Sequence, residues 1–213
     1  MLNQHRRWIK NMSKILDKRY SELLEQEKRF IKRVVYFIHA YTPRPWWRVV
    51  IPFNFLIDYF SRKKEIQAFS DSHFYLKQIA LSMAYKDAES GNPGQSNSEM
   101  QAELRDYWMH MQKIESRELY EHLQQWMAIL KKHYLKLLLV QERYYILLLQ
   151  KAYSSRQEYK AFLTELTKLE EKIDQIILAH QKDKVLPAGY IQRKQKAFQE
   201  IRERDLREAF GEE

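Results

Sequence analysis

Residues 98–153 have the sequence SEMQAELRDYWMHMQKIESRELYEHLQQWMAILKKHYLKLLLVQERYYILLLQKAY and contain neither proline nor glycine. Apolar side chains recur along them at spacings of three and four, the period of one helix face. This pattern predicts a helix from Ser98 to about Tyr153, roughly 80 Å long. Its length leaves room for an interruption near residues 115–135, which no residue marks. The face consists of Leu104, Tyr107, Trp108, Met111, Ile114, Leu119, Leu123, Trp126, Leu130 and Leu137.

Turn-forming residues precede this helix. Residues 89–97, ESGNPGQSN, hold two of the four glycines and predict a flexible loop. Ser98 and Gln101 have the spacing of a capping box, in which the hydroxyl accepts from a backbone amide and the Gln reaches back. We therefore expect the helix to begin at Ser98.

Two further helices follow. Ser155 and Glu158 repeat the capping-box spacing. They predict a boundary at Ser154 and Ser155 and a new helix to about His180. After a turn at residues 186–189, residues 191–210 form a final, highly charged helix with a thin apolar stripe.

The N-terminal third has a different pattern. Helical periodicity extends from about Trp8 to Tyr41 and ends at residues 42–45, TPRP, because proline lacks the amide donor that a helix needs. The apolar stretch 46–60 contains Pro52 and is expected to form two short pieces. The second piece should continue into a helix to about Asp87.

Composition agrees with an all-α fold. Apolar residues make up 45% of the chain, whereas there are only 4 Gly and 5 Pro among 213 residues, too few turn formers for a β-sandwich. We predict an elongated antiparallel helical bundle of five or six long amphipathic helices. It should form one continuous unit in which residues 1–88, with an apolar hairpin at 41–64, join residues 98–213 through the 89–97 loop.

Positive charge is concentrated near the N-terminus. The net charge is +9, and residues 1–65 hold 15 Lys and Arg against 6 Asp and Glu, while the remainder holds 22 of each. Such asymmetry favours an anionic partner. A basic stripe formed by Arg6, Arg7, Lys10, Lys14, Lys18 and Arg19 could follow a phosphate backbone, although no nucleic-acid reader motif accompanies it.

Residues 44–64 combine aromatic and basic side chains. Trp and Tyr favour the headgroup region of a bilayer, and Lys and Arg are attracted to anionic lipid. The segment therefore predicts contact with a membrane or a protein partner, and a core hairpin is the competing interpretation. The predicted contact residues are Arg44, Trp46, Trp47, Arg48, Phe53, Phe55, Tyr59, Arg62, Lys63 and Lys64.

No stretch of eighteen residues is free of charge, so a membrane-spanning helix is not predicted. Residues 135–149 are apolar on every side of a helix apart from a few charges, notably Glu142 and Arg143. These two charges would offset what the leucines gain in a bilayer. We expect a central buried helix with both charges paired or at its rim.

The sequence contains none of the common catalytic, phosphate-binding or metal-binding motifs that follow. There is no Cys, no His-Glu-x-x-His, no Gly-x-Ser-x-Gly and no phosphate-binding Gly-rich loop. No His has a Glu three residues before it, so the di-iron carboxylate motif is also missing. The lack of Cys excludes a disulfide scaffold and is typical of a reducing compartment. We expect no cofactor and no catalytic residue.

Two groups of ionisable residues have a spacing that could suit metal binding or acid–base catalysis. The stripe of Asp106, His110, Glu118, His122 and His133 has the spacing of metal ligands, but polar surface residues or core histidines explain it better, and no metal is expected. The carboxylates of Glu170, Glu171 and Asp174 alternate with lysines and predict a solvated helix face rather than acid–base catalysis.

The leading functional hypothesis is a non-enzymatic helical adaptor or structural protein. It would be cytoplasmic, attached peripherally to the inner face of a membrane or to a membrane complex through residues 44–64, with a protein partner or self-association. A second hypothesis is a bundle that encloses an apolar ligand or cofactor between Trp108, Trp126, Tyr134 and Tyr145. Nucleic-acid binding through the basic stripe is the third.

Overall fold

The computed structural model describes the backbone of residues 2–40, 52–111, 116–180 and 189–212, and the side chains of residues 13–38, 71–109, 116–180 and 189–212. Within these ranges the regular structure is entirely α-helical, which confirms an all-α helical bundle. The described ranges contain seven helices rather than five or six. They are α1 Leu2–Ala40, α2 Pro52–Ser90, α3 Asn97–Met111, α4 Arg117–Leu139, α5 Tyr145–Ala152, α6 Arg156–His180 and α7 Tyr190–Phe210.

The prediction of one uninterrupted helix from Ser98 to Tyr153 is wrong, although the interruption allowed for near residues 115–135 is present at Ser116. The chain forms α3, α4 and α5 there, because α4 has its own N-cap and a definite end. The Ser116 hydroxyl accepts a hydrogen bond from the Leu119 amide at 3.2 Å, which satisfies one of the free donors of a helix start. After Leu139 the backbone turns extended at Val140, with φ −78° and ψ 146°.

The stretch 135–149 is therefore not one central buried helix. Its buried residues lie on α4 and α5, whereas Leu139 and Tyr144 are exposed on either side of the turn. Glu142 and Arg143 lie in that turn at the surface. Arg143 is exposed and Glu142 is half-buried, but the central helix at whose rim they were expected is replaced by the ends of α4 and α5.

Other predicted boundaries agree closely with the structure. The Ser155 hydroxyl accepts from the Glu158 amide at 3.1 Å, while the Glu158 carboxylate accepts from the Ser154 amide at 2.8 Å. The capping at the start of α6 is thus confirmed, although the Glu reaches one residue farther back than in a standard box. Helix α3 begins at Asn97, so Ser98 lies inside its first turn instead of capping it.

The first two helices are longer than predicted. Helix α1 begins at Leu2, and α2 begins at Pro52 and continues to Ser90. Proline is favoured in the first turn of a helix because the amide that it lacks would be unpaired there anyway. The predicted break at residues 42–45 and the apolar residues 46–51 lie outside the described residues.

Helix α1 runs antiparallel to α2 and α4 to α6, whereas α2 and α4 run in the same direction, with His73 against Trp126 and Asp87 against Lys131. Lys77 meets Glu27 and Tyr85 meets Asp17, so α2 returns along α1. The pairs Trp126 with Glu170 and Lys136 with Glu158 show in the same way that α6 runs antiparallel to α4. The larger hydrophobic core extends from Leu23 on α1 to Ala209 on α7. A smaller cluster packs α1 on α7 around Phe30 and Phe198.

Candidate functional site

The predicted contact segment is mostly outside the described side chains. Arg44, Trp46, Trp47 and Arg48 lie in the 41–51 range that the structure does not describe. The remaining predicted residues are on the N-terminal part of α2, where only the backbone is described, and they are Phe53, Phe55, Tyr59, Arg62, Lys63 and Lys64. Their participation in a membrane or partner contact stays a prediction.

The basic stripe is on α1. Lys14 and Lys18 are exposed, whereas the side chains of Arg6, Arg7 and Lys10 are outside the described residues. Arg19 does not belong to an exposed stripe, because its side chain is buried. This part of the sequence prediction is wrong.

Arg19 instead holds the turn between α4 and α5. Its Nη1 donates to the Leu138 carbonyl at 2.8 Å and its Nε donates to the Glu142 carbonyl at 3.3 Å. The last carbonyls of a helix lack partners within the helix, and a guanidinium can satisfy them. Burial lowers the pKa of Arg19, and the negative charge of Glu142 acts in the opposite direction. Arg19 therefore stabilises the C-terminal end of α4 and the turn that follows it.

Further along α1, Lys32 and Arg33 are also exposed. With Tyr36 they form one wall of a surface groove of about 580 Å³, and α7 forms the other wall. The α7 side carries both signs of charge, from Arg204 and Arg207 and from Glu200 and Glu203. The groove is consequently mixed in charge and has no strong preference for an anion.

The expectation of a solvated carboxylate face on α6 is wrong for two of its three residues. Glu170 and Asp174 are 6% and 4% exposed, and only Glu171 faces solvent. The sequence suggested lysine partners one turn away on α6, but the partners are on α7. Asp174 pairs with Lys194, and the Gln195 amide also donates to Asp174 at 3.2 Å.

Glu170 lies at the centre of a buried hydrogen-bond network. Both of its oxygens accept from the Arg202 guanidinium, each at 2.7 Å, and Oε1 also accepts from the Trp126 indole at 3.2 Å. Burial alone would raise the pKa of Glu170, but the charge and hydrogen bonds of Arg202 outweigh it and lower that pKa. This paired arrangement links α4, α6 and α7.

A second network links α1, α2 and α4. The Glu27 carboxylate accepts from Lys77 Nζ and from the Tyr134 hydroxyl, both at 2.7 Å. The Phe30 ring lies beside both networks, 4.1 Å from Lys77 Nζ and 6.0 Å from Arg202 Cζ. The two networks together connect five helices across the centre of the bundle.

These networks determine what the bundle centre can do chemically. A general acid or base needs a group that is free to exchange a proton with a substrate, whereas both oxygens of Glu170 and both of Glu27 are engaged by neighbouring side chains. Buried ion pairs that are complete in this way hold neighbouring helices in one arrangement. The geometry therefore favours a structural role for them.

A third charged cluster fixes the connection between α2 and α3. Asp87 is 1% exposed and accepts from the Gly94 amide at 2.6 Å and from the Ser96 amide at 2.9 Å. Lys131 of α4 lies 2.8 Å from the Asp87 carboxylate and donates to Asn97 at 2.6 Å. Burial opposes ionisation, but these hydrogen bonds outweigh it and lower the pKa of Asp87 to about 2.

The histidine stripe does not come together. Among the described residues no three His, Asp or Glu side chains form a group that could hold a metal ion. His122 is half-buried and its Nδ1 lies 2.8 Å from the Glu118 carbonyl. His133 is buried, with Nδ1 2.6 Å from the Tyr153 hydroxyl, and burial together with nearby cations lowers its pKa to about 3. The side chain of His110 is outside the described residues.

The four aromatic residues proposed to line a ligand cavity are dispersed. Trp126 and Tyr134 are buried and form part of the ion-pair networks, Tyr145 packs beside Tyr159, and Trp108 packs on Tyr120. A second cavity, of about 670 Å³, lies between α6 and α7. None of the four lines it or the α1–α7 groove.

Asp205 is a buried carboxyl group on α7 whose ionisation is expected to affect the stability of the fold. It is 5% exposed, and burial raises its pKa to about 6 although Arg204 and Arg33 act in the opposite direction. A carboxyl whose pKa is raised on folding stabilises the fold in its protonated form, so this contribution is lost as pH rises from about 4 through 6. We expect Asp205→Asn to raise the free energy of unfolding by roughly 3 kcal/mol at pH 8 and by little at pH 4.

Urea unfolding at both pH values measures this difference. Asp71→Asn, at an exposed position of α2, controls for the change of net charge. A difference between Asp205→Asn and the parent that stayed constant from pH 4 to pH 8 would contradict the prediction.

Among the described residues, every helix falls short of the uninterrupted apolar length that a bilayer crossing requires. No family model matches the chain, and no curated protein and no solved structure matches it.

Proposed function

We propose that this chain is a non-enzymatic helical adaptor that attaches peripherally to an anionic membrane surface through its basic N-terminal region. The observation that carries the proposal is the pair of exposed cations on α1 that lie outside the mixed-charge groove, namely Lys14 and Lys18. They belong to the first 65 residues, where the whole charge excess of the chain is located. An unbalanced cationic surface of this kind is attracted to anionic lipid.

The interior supports a structural rather than a catalytic role. The carboxylates of Glu27, Asp87 and Glu170 are each paired with a cation on another helix. The bundle therefore uses its buried charges to fix helix positions, while Lys14 and Lys18 of α1 face outward. A rigid body with a basic surface fits an adaptor.

The test is co-sedimentation of the full chain with vesicles of phosphatidylcholine, with and without phosphatidylserine. Each Lys near an anionic surface contributes about 1 kcal/mol, so Lys14→Glu/Lys18→Glu should weaken binding by roughly thirtyfold or more. The control is Lys160→Glu/Lys168→Glu on α6, which makes the same change of net charge at exposed positions. Binding should also weaken as salt is added.

Two results would reject the proposal. One is the absence of sedimentation with anionic vesicles at low salt, and the other is an equal loss of binding in both double variants. A variant with Trp46, Trp47, Phe53 and Phe55 replaced by Ser tests the predicted contact segment. Lost vesicle binding with an unchanged free energy of unfolding supports membrane contact by residues 44–64, and lost stability supports the core hairpin.

A further inference from the structure

One end of the bundle exposes an unusual concentration of apolar side chains. Eight large apolar side chains are exposed among the described residues, and three of them lie within nine residues of sequence. These three are Leu139, Tyr144 and Leu147, which are 60%, 62% and 39% exposed. Residues 139–147 form the α4–α5 corner of the bundle. Single exposed apolar residues are ordinary, but a cluster is typical of an interaction surface.

Helix α1 adds to this surface. Arg19 donates to the Leu138 and Glu142 carbonyls, so α1 lies directly against the corner. Ile15 is one helical turn before Arg19 on the same side of α1 and is 44% exposed. Half of the eight exposed apolar side chains are therefore associated with this one end of the bundle.

Cations surround the apolar residues. Arg143 is exposed, with its guanidinium 5.8 Å from the centre of the Tyr144 ring. Lys14 and Lys18 of α1 are exposed on either side of Ile15, and Lys151 is exposed one turn beyond Leu147 on α5. Two acidic residues accompany these cations: Glu142 in the corner, whose charge is close to that of Arg19, and Asp17, which is exposed between Lys14 and Lys18 on α1 and accepts from the Tyr85 hydroxyl.

This combination matches one kind of partner. A helix that lies in a bilayer interface places Leu and Tyr at the acyl boundary and Lys or Arg among the phosphates. An apolar protein surface would satisfy Leu139 and Leu147 but would leave the surrounding cations without counter-charges. The charge pattern therefore favours anionic lipid over a second copy of this chain.

We infer that the α4–α5 corner, together with Ile15 of α1, inserts its apolar side chains into an anionic phospholipid surface. The inference rests on the proposed membrane attachment and adds to it a second point of contact on α4 and α5. The buried Arg19 guanidinium keeps this point in a fixed position relative to the cations of α1.

The first experiment measures vesicle binding of Leu139→Ser/Tyr144→Ser in the full chain. Its control is Met109→Ser/Leu178→Ser, at positions that are 71% and 50% exposed on α3 and α6. The corner variant should bind phosphatidylserine vesicles at least about tenfold more weakly than the parent, because two apolar side chains no longer enter the bilayer. The control variant should bind like the parent. Both should unfold at the same urea concentration as the parent, since all four positions are exposed.

The second experiment places a polarity-sensitive fluorophore at the corner. The chain has no Cys, so Leu147→Cys and Leu178→Cys can each be labelled at one position. Emission from position 147 should shift to shorter wavelength with phosphatidylserine vesicles, and emission from position 178 should not. A parent that binds vesicles while the corner variant binds equally well and the label at 147 is unchanged would overturn the inference and leave the proposed function intact.

Two further outcomes are decisive. A parent that binds no anionic vesicle rejects the proposed function and this inference together. A parent that is dimeric without vesicles and becomes monomeric in the corner variant would identify a second copy as the occupant and overturn the lipid assignment.

Discussion

Glu170→Ala is expected to lower the free energy of unfolding by roughly 3–5 kcal/mol. The substitution leaves the Arg202 guanidinium buried without its counter-charge, since the Arg202 side chain is 9% exposed. It also removes the acceptor of the Trp126 indole. Urea unfolding followed by far-ultraviolet circular dichroism measures the effect without depending on Trp126 fluorescence, which the substitution itself perturbs.

Two variants separate this effect from a general loss of charge. Glu121→Ala breaks the exposed pair with Arg117 on α4 and should cost no more than about 1 kcal/mol. Glu170→Met/Arg202→Met removes both buried charges and should recover most of the lost stability, because neither desolvated ion remains. A cost below about 1 kcal/mol for Glu170→Ala, or no recovery in the double variant, would show that the pair is not the stabilising element described above.

Asp87→Ala is expected to have an effect of similar size, roughly 3–5 kcal/mol. It leaves Lys131, which is 5% exposed, without its buried counter-charge and deprives the Gly94 and Ser96 amides of their acceptor. The same urea measurement applies. Asp87→Ala/Lys131→Met should be more stable than Asp87→Ala, because the unpaired ammonium is gone.

The pH dependence of Asp87 has the opposite sign to that of Asp205. The pKa of Asp87 is lowered to about 2 in the folded chain, so its contribution is fully present above the unfolded pKa of about 4. This contribution is lost as pH falls from there through 2. The gap in stability between the parent and Asp87→Ala should therefore narrow in acid, and a gap that widened below pH 4 would contradict the assignment.

Only a small part of the candidate surface, and little of the charged interior, could be predicted from sequence. The basic excess before residue 65 is a property of composition, and it placed exposed Lys14 and Lys18 correctly. Arg19 is adjacent in sequence and was assigned to the same stripe, yet it is buried. The one signal available was its angular position on the helix, near the apolar face that includes Leu16 and Leu23.

The environments of Glu170 and Asp174 were also predicted wrongly from sequence. Their neighbours Lys168 and Lys172 suggested local pairs on a solvated face, because spacing along one helix is all that a sequence displays. Their real partners, Arg202 and Lys194, are on a different helix. The apolar periodicity of α6 could not have indicated this, since the burial of Glu170 and Asp174 depends on counter-charges that a facing helix supplies.

In residues 98–153, some structural features follow from the local sequence and others depend on the packing of helices that are distant in sequence. The apolar period of this stretch and its lack of Pro and Gly predicted the helical state of most of its described residues, and the capping at Ser155 predicted where α6 begins. The break into α4 and α5 is stabilised by Arg19, 119 residues away from Leu138. Local propensity acts between residues a turn apart, whereas a helix end that is stabilised by a distant guanidinium exists only after the helices have packed.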